Sequence, residues 1–373
     1  METRTQLNSV RGQRGISAAK LAKLAGISRQ TVYAIEAGDY VPNTTLALQL
    51  AKILEVRVED LFQLEGQAVE LPPPLEVDLL DVHHSPRKGQ PVQLCRVGKR
   101  VIGISATPQP LMLPMADGVI VESSKRTHLA QVHVFQNDLD EGKRLLIAGC
   151  DPGISLLAQH LGRFEGVDLA MAQSSSHQAL EWLKQGKVHV AGTHLRDVPS
   201  GEYNLPAIKR LFPAGSVKVV TFAIWEQGIV VAGGNPKDIR RIEDLVRKDV
   251  SIINREKGAG SRELLDQKLR GAGVPSSKVS GYDDVAYGHL PAALAVSLGD
   301  ADCCIATRSA ARAFGLNFIP LATERYDLVI RRQHARLPAV EALLDVLNRA
   351  ALRRKLEMLA GYDTRHTGDV LVG

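Results

Sequence analysis

Apolar and polar positions follow two different rhythms along this chain. Over residues 1–63, Ile16, Leu21, Ala22, Ala25, Ile27, Val32 and Ile35 recur at helical spacing, one inner face of two helices joined at Gly26. Gly26, Gly38, Pro42 and Asn43 punctuate the stretch, and four or five short helices fit within it. Periodicity is lost over 64–74, LEGQAVELPPP, where three prolines cannot continue a helix and favour an extended spacer. From about 75 to 142, alternation around Val77, 92–97, 101–104, 118–121 and 131–135 predicts short strands between Pro and Gly turns.

Beyond Lys143 strands and helices alternate. The pattern predicts strands over 145–148, 167–171 and 188–191, with helices starting at Ser155 and about His177. It resumes after Trp225 with strands over 228–232, 250–254 and 302–306, and helices over 238–247, 261–271 and 289–298. An amphipathic helix is expected over 338–359. This alternation implies βαβ units and parallel sheets, and two successive blocks imply two lobes with a cleft between them. The expected organisation is multidomain: an all-α domain over 1–65, a linker and β-rich connecting segment over 66–142, and a two-lobed α/β domain over 143–373.

Composition narrows the function classes. With 373 residues, 45% hydrophobic and 23% charged, the chain is long enough for two to three globular domains and is neither collagenous nor wholly disordered. No apolar run approaches the roughly 18 residues that span a bilayer, and METRTQLNSVRGQRG has no signal-like apolar core. A cytoplasmic protein starting at Met1, without membrane association, is the expectation. Cys95, Cys150, Cys303 and Cys304 are too few and too irregularly spaced for a disulfide framework or a paired zinc site, and are read as reduced. The net charge of +5 is too mild to imply nucleic acid by itself, so a motif must carry that case.

Such a motif lies near the N-terminus. Ser17 and Ser28 are placed to cap successive helices, and the helix begun at Ser28 presents Arg29, Gln30, Thr31 and Tyr33 outward. With the turn glycine Gly26, the run Ile35, Glu36, Gly38 and Pro42, and the closing Leu61–Phe62, residues 5 to 63 resemble the Xre/Cro-type helix-turn-helix family. The resemblance implies a double-stranded DNA operator as partner, read as a homodimer. It makes Arg29, Gln30 and Thr31 the candidates for base edges. Arg14, Lys20, Tyr33 and Asn43 become candidates for phosphates, with Ser17 and Ser28 at the helix starts beside them. Six basic against three acidic residues over 1–40 agree with that partner.

Three later segments place small or hydroxyl residues between a strand and a helix: GCDPGIS at 149–155, QSSSH at 173–177 and GAGSR at 258–262. Backbone N–H groups and hydroxyls at such helix starts suit an anion. GCDPGISLL, SSSHQAL, GKVHVAGTHL, WEQGIVVAGGNP, NREKGAGSRELL, HLPAALAVSLGDADCCIA and ERYDLVI look like the periplasmic-binding-protein-like domain attached to helix-turn-helix regulators, over about 143–363. Their order is also similar to the tungstate- and molybdate-binding proteins of ABC importers. The resemblance implies a type II two-lobed fold, with Ser155, Ser175 or Ser176, and Ser261 as donors, Thr193 and His194 bordering the cleft, and Arg262 or Arg255 as countercharge. Asp151 departs from the pattern, because a carboxylate beside an anion loop repels an oxyanion unless it turns away.

Enzyme readings find little support. His177, His189 and His194 lie near Asp197 but share no HxxE, HxH or CxxC spacing, and Cys303–Cys304 reads as buried small hydrophobes. Gly258 and Gly260 lack the Lys-Ser/Thr ending of a P-loop, and no serine sits in a G-x-S-x-G elbow. No catalytic residue, metal or required cofactor is expected. The expected function is a one-component, DNA-binding transcriptional regulator sensing an oxyanion such as molybdate or tungstate. A small organic acid as effector, or a ligand-independent DNA-binding scaffold, are the competing expectations.

Overall fold

The computed structural model describes residues 3–64, 73–80, 86–106, 113–124, 128–135, 139, 142–197 and 199–372. Most of the expected spacer, 65–72, lies outside the described residues. The chain divides into two compact units, Met1–Pro72 and Pro73–Gly373.

In the first unit, hydroxyl and amide side chains decide where helices begin. After α1 (Leu7–Gln13), Ser17 Oγ accepts the Lys20 N–H at 3.2 Å and starts α2 (Ala18–Ala25). Ser28 Oγ accepts the Thr31 N–H at 3.0 Å and starts α3 (Arg29–Ala37), and Asn43 Oδ1 accepts the Leu46 N–H at 2.9 Å and starts α4 (Thr44–Leu54). Gly26 and Gly38 end α2 and α3 at φ 65° and 87°, backbone that a side chain would strain. With α5 (Val58–Leu61), these helices enclose Leu7, Leu21, Val32, Ile35, Leu50 and Leu61. Two three-residue strands, β1 (Thr3–Thr5) and β2 (Phe62–Leu64), pair antiparallel across the ends of the unit. They are too short to leave a periodic signal, and the hydropathy pattern does not predict them.

The second unit opens with a closed barrel of β3 (Leu75–Leu79), β4 (Pro91–Val97), β5 (Arg100–Ser105), β6 (Gly118–Ser123) and β7 (Leu129–Val134). Val77, Val92, Leu94, Ile120 and Val132 fill it. On its outer surface Leu80, Cys95, Val97, Ile102 and Ile104 pack in one cluster with Leu146, Leu180 and Trp182 of the following lobe. Arg144 joins Asp117 and Asp168 at 2.5 and 2.6 Å, and Lys187 meets Asp78 at 2.9 Å, so ion pairs rim the same contact.

The first lobe carries parallel strands β8 (Arg144–Gly149), β9 (Asp168–Gln173) and β10 (Val190–Thr193), with α6 (Ile154–Glu165), α7 (Ser176–Lys184) and α8 (Leu205–Leu211). The chain then crosses on β11 (Val217–Val231) into the second lobe: β12 (Ile252–Arg255), α9 (Gly260–Gly271), β13 (Val285–Ala286), α10 (His289–Leu298), β14 (Cys303–Thr307) and α11 (Arg308–Ala313). It returns on β15 (Asn317–Arg331) and ends with α12 (Pro338–Leu347), α13 (Ala350–Lys355), a π turn over Leu356–Ala360, and β16 (Val370–Val372). Among the described residues, one nine-stranded sheet runs through both lobes in the order β13-β12-β14-β11-β15-β10-β8-β9, with β16 on β11.

Three expectations are corrected. The helix over 238–247 shrinks to a 3₁₀ turn, Ile242–Val246, because Asp244 caps the N–H groups of Arg240 and Arg241 and fixes a late start. The helix over 338–359 breaks into α12, α13 and the π turn. The strand over 228–232 is the end of a strand of 15 residues, and its partner β15 has no counterpart in the predicted elements. Gln227, Glu324, Arg325 and Asp327 interrupt the apolar run of both, which hides them from a hydropathy pattern.

Leu50 is fully buried at the centre of the helical unit. Leu50→Ala is expected to destabilise that unit by about 2–5 kcal/mol, read as a lower urea midpoint by far-UV circular dichroism.

Candidate functional site

On the helical unit, α3 presents Arg29, Gln30 and Tyr33 exposed, as the outward face requires. Arg29 lies 5.4 Å over the Tyr33 ring and donates to its hydroxyl at 2.9 Å, so its guanidinium is pre-positioned along the helix. Thr31 Oγ1 is 2.8 Å from Ser28 Oγ, which ties that hydroxyl to the cap. Arg14 donates to the Glu55 carbonyl at 3.1 Å, and Lys20 is exposed in the first turn of α2. Ser17, Ser28 and Asn43 spend their side-chain oxygens on capping. Of the three, Asn43 caps through Oδ1, so its amide nitrogen lies outside the cap.

The second candidate site lies where the two lobes meet across the middle of β11 and β15. His194, the residue after β10, is 2% exposed and sits among three partners. Its Nδ1 is 2.8 Å from Glu324 Oε2 and 3.2 Å from Gln227 Nε2, and its Nε2 is 3.4 Å from Cys150 Sγ. Gln227 also donates to Glu324. Burial alone lowers an imidazole's pKa, but Cys150 and Glu324 outweigh it and hold His194 at about 10. Gly260, at the start of α9, abuts the His194 ring so closely that no Cβ fits there. Trp225 stands edge-on to His194 at 5.0 Å and to His289 at 5.3 Å.

Buried polar atoms without a protein hydrogen-bond partner gather around this point. They include Arg255 Nη1, Ser261 Oγ and both His289 nitrogens from the second lobe, and Asp151 Oδ2 and Ser174 Oγ from the first. Trp225 Nε1 and Gln227 Oε1 come from β11. More than nine buried polar groups in ten are satisfied in folded proteins, so these atoms call for partners beyond the chain's own hydrogen bonds. Burial pushes Asp151 up to about 7 although Tyr362 and the Gly153 N–H bond its Oδ1, which places it at the edge of protonation. His289 is held well below its ordinary value, first by burial and then by Arg255 and His194. A cavity of about 230 Å³ opens outward from the seam past His194, Gly260, Tyr203 and Arg270.

The expected ligand residues divide. His194, Ser261 and Asp151 are brought to the seam, and Ser175 stands at its rim, its Oγ 3.6 Å from the position a Cβ on Gly258 would take. Ser176 Oγ instead accepts the His194 N–H at 3.1 Å and so positions the imidazole. Three expectations are corrected. Ser155 is exposed and its hydroxyl bonds the Pro152 carbonyl. Strand alternation turns Thr193 away from His194, and its hydroxyl bonds Asn204. Arg262 is already engaged, 4.7 Å over the Tyr282 ring and bonded to the Arg255 carbonyl, and Arg255 pairs with Glu256 through Nε and Nη2 at 2.9 and 3.0 Å, which leaves only its Nη1 outside an ion pair. His289, Gln227 and Glu324 were not among the expected residues. A histidine opening an apolar helix, and lone polar residues inside long apolar strands, are the signals that mark them.

Residues 158–348 match the family described as PBP superfamily domain, and residues 7–61 match the helix-turn-helix family. The uncharacterized protein YvgK of Bacillus subtilis (strain 168) is 34% identical over 244 residues, 65% of this chain and 78% of YvgK. An uncharacterized HTH-type transcriptional regulator of the same organism, YgzD, is 44% identical over 64 residues, 17% of this chain and 97% of its own. The sulfate-binding protein SubI of Mycobacterium tuberculosis H37Rv superposes with a TM-score of 0.43 at 17% identity, over 59% of this chain and 86% of that one.

The raised pKa of His194 has a defined sign. Its stabilisation is complete below the unfolded value near 6.5 and disappears as pH rises through about 10. Urea midpoints are therefore expected to fall between pH 7 and 10, and Glu324→Gln is expected to flatten that slope. An equally steep slope in the variant contradicts the role assigned to Glu324.

Proposed function

We propose that this chain, which belongs to the PBP superfamily and carries a helix-turn-helix domain ahead of its two-lobed domain, is a one-component regulator that closes its lobes on a small oxyanion. The coarser function needs no proposal: it is a helix-turn-helix transcriptional regulator with a PBP-like ligand-binding domain. The observation carrying the finer reading is the buried, unpartnered Ser261 hydroxyl, in one seam with the wholly buried Arg255, whose Nε and Nη2 pair with Glu256 at 2.9 and 3.0 Å while Nη1 stands outside that pair. A buried guanidinium favours an anion through charge-assisted hydrogen bonds, and the hydroxyl adds a neutral donor. Molybdate and tungstate are the oxyanions we favour, and no separate cofactor or catalytic step enters the reading.

Ligand acts by binding the closed lobes better than the open ones. In a homodimer, that difference sets whether two copies of α3 dock together on half-sites about one helical turn apart. Arg29, Gln30 and Thr31 then read base edges while Arg14, Lys20, Tyr33 and Asn43 hold phosphates. Among the described residues no helix is long and apolar enough to cross a membrane, which suits a regulator that must reach DNA.

A thermal-shift series with molybdate, tungstate, sulfate, phosphate and small carboxylates tests the effector. An oxyanion at a hundredfold its Kd is expected to stabilise the protein by about 2.7 kcal/mol. Ser261→Ala is expected to weaken it about tenfold or more, and the exposed Ser155→Ala to leave it unchanged. A shift with carboxylates alone replaces the oxyanion by an organic acid, and no shift with any of them favours a scaffold.

On operator DNA, Gln30→Ala is expected to relax base preference. Arg14→Ala should weaken all sequences alike and lower the salt slope by about 1. Intact operator affinity in both variants overturns the assigned reading face, and light scattering that finds a monomer with and without DNA overturns the dimer.

A further inference from the structure

Cys150, His194 and His289 converge where the lobes meet, and all three are buried. Their Sγ and ring nitrogen atoms lie within 4.8 Å of one another. They come from three separate places in the chain: the end of β8, the end of β10 and the first turn of α10. No short sequence spacing reveals them. We propose that Cys150, His194 and His289 bind a soft divalent transition-metal ion of the zinc type, and that the ion ties the first lobe to the second.

Four observations support the assignment. One thiolate and two imidazoles form a donor set suited to zinc and its neighbours and unsuited to magnesium or calcium. Bonds of about 2.3 Å to sulfur and 2.0–2.1 Å to nitrogen place tetrahedral ligand atoms about 3.5 Å apart. Cys150 Sγ and His194 Nε2 already stand at 3.4 Å, so His289 has the remaining distance, on the order of 1 Å, to close.

The third observation is the hydrogen bond of His194 Nδ1 to Glu324, itself bonded by Gln227, which fixes the ring with Nε2 aimed at the thiol. A carboxylate behind a histidine is the outer-sphere arrangement typical of metal-ligating imidazoles. Fourth, His289 is fully buried and neither ring nitrogen has a hydrogen-bond partner. A Cys–His–Glu series on its own equally serves a nucleophile. His289 is the member that such a role leaves without a task and that a metal uses.

Three protein ligands leave a fourth position open. Arg255 and Ser261 lie in the same seam, so an anion or water can complete the coordination. The inference shares its location with the oxyanion reading but does not require it.

The test uses the full-length protein, stripped with chelator, kept reduced, and titrated with cobalt(II) and then zinc(II) chloride. We expect one cobalt per chain with the absorption of a tetrahedral site and a thiolate-to-cobalt charge-transfer band, both abolished when zinc displaces it. Cys150→Ser should remove the charge-transfer band. His289→Gln should weaken binding at least tenfold, and Glu324→Gln by about 10–100-fold. Circular dichroism establishes that each variant is folded, and His289→Gln serves if Cys150→Ser is not.

No thiolate–cobalt band in the wild type, or affinity unchanged in both Cys150→Ser and His289→Gln, overturns the proposal. Oxyanion thermal shifts measured with chelator present separate the two readings: shifts that persist without any cobalt site remove only the metal, and a cobalt site without shifts removes only the oxyanion.

Discussion

The antiparallel pairing of β11 with β15 is the constraint on which the ligand-binding unit depends. From Val217 opposite Arg331 to Val231 opposite Asn317, the two strands run side by side through both lobes. The first lobe adds β10 to one side of this ribbon and the second adds β14 to the other. Neither lobe therefore has an independent sheet. The register slips between Thr221 and Ala223 and again between Gln227 and Gly228, and the buried Trp225 lies between the slips. Irregular pairing of this kind bends a ribbon where continuous pairing keeps it stiff. Gln227 borders the second slip and Glu324 and His194 bond it, so the polar cluster and the irregular pairing are one place.

That placement gives ligand recognition its leverage. Atoms from the first lobe, the ribbon and the second lobe are all within the same seam, so under the proposed function a guest that satisfies them would favour the arrangement in which they converge. Differential affinity for two arrangements is the thermodynamic requirement for a sensor. The electrostatics are mixed: Arg255 is paired with Glu256 and His194 with Glu324, beside an Asp151 poised near neutrality.

Much of this was legible in the sequence where the signal is local. Caps at Ser17 and Ser28, the turn at Gly26 and the apolar face through Val32 and Ile35 placed α2 and α3 without any tertiary information. Alternating strands and helices disclosed the two lobes. The seam between the lobes was only half legible: hydroxyls before helices led both to Ser261, which the fold buries there, and to Ser155, which it leaves exposed, because a helix start says nothing about which way its first hydroxyl turns. Thr193 was misplaced for a related reason, since adjacent strand residues face opposite sides. His289 and Glu324 escaped because their significance exists only once the fold brings them beside His194, from 95 and 130 residues further along the chain.

The barrel over 75–134 carries a consequence for how the molecule may be divided. Its outer wall is not a surface but half of a core, the other half being Leu146, Leu180 and Trp182. Severing the chain at residue 142, where the α/β pattern begins, would bare those side chains and strand Arg144 and Lys187 without Asp117 and Asp78. The smallest autonomous sensor accordingly begins near Pro73. In the history of the chain, barrel and lobes are then expected to have been gained, lost or transplanted as a single hereditary unit, while the helical reader ahead of them was free to be exchanged.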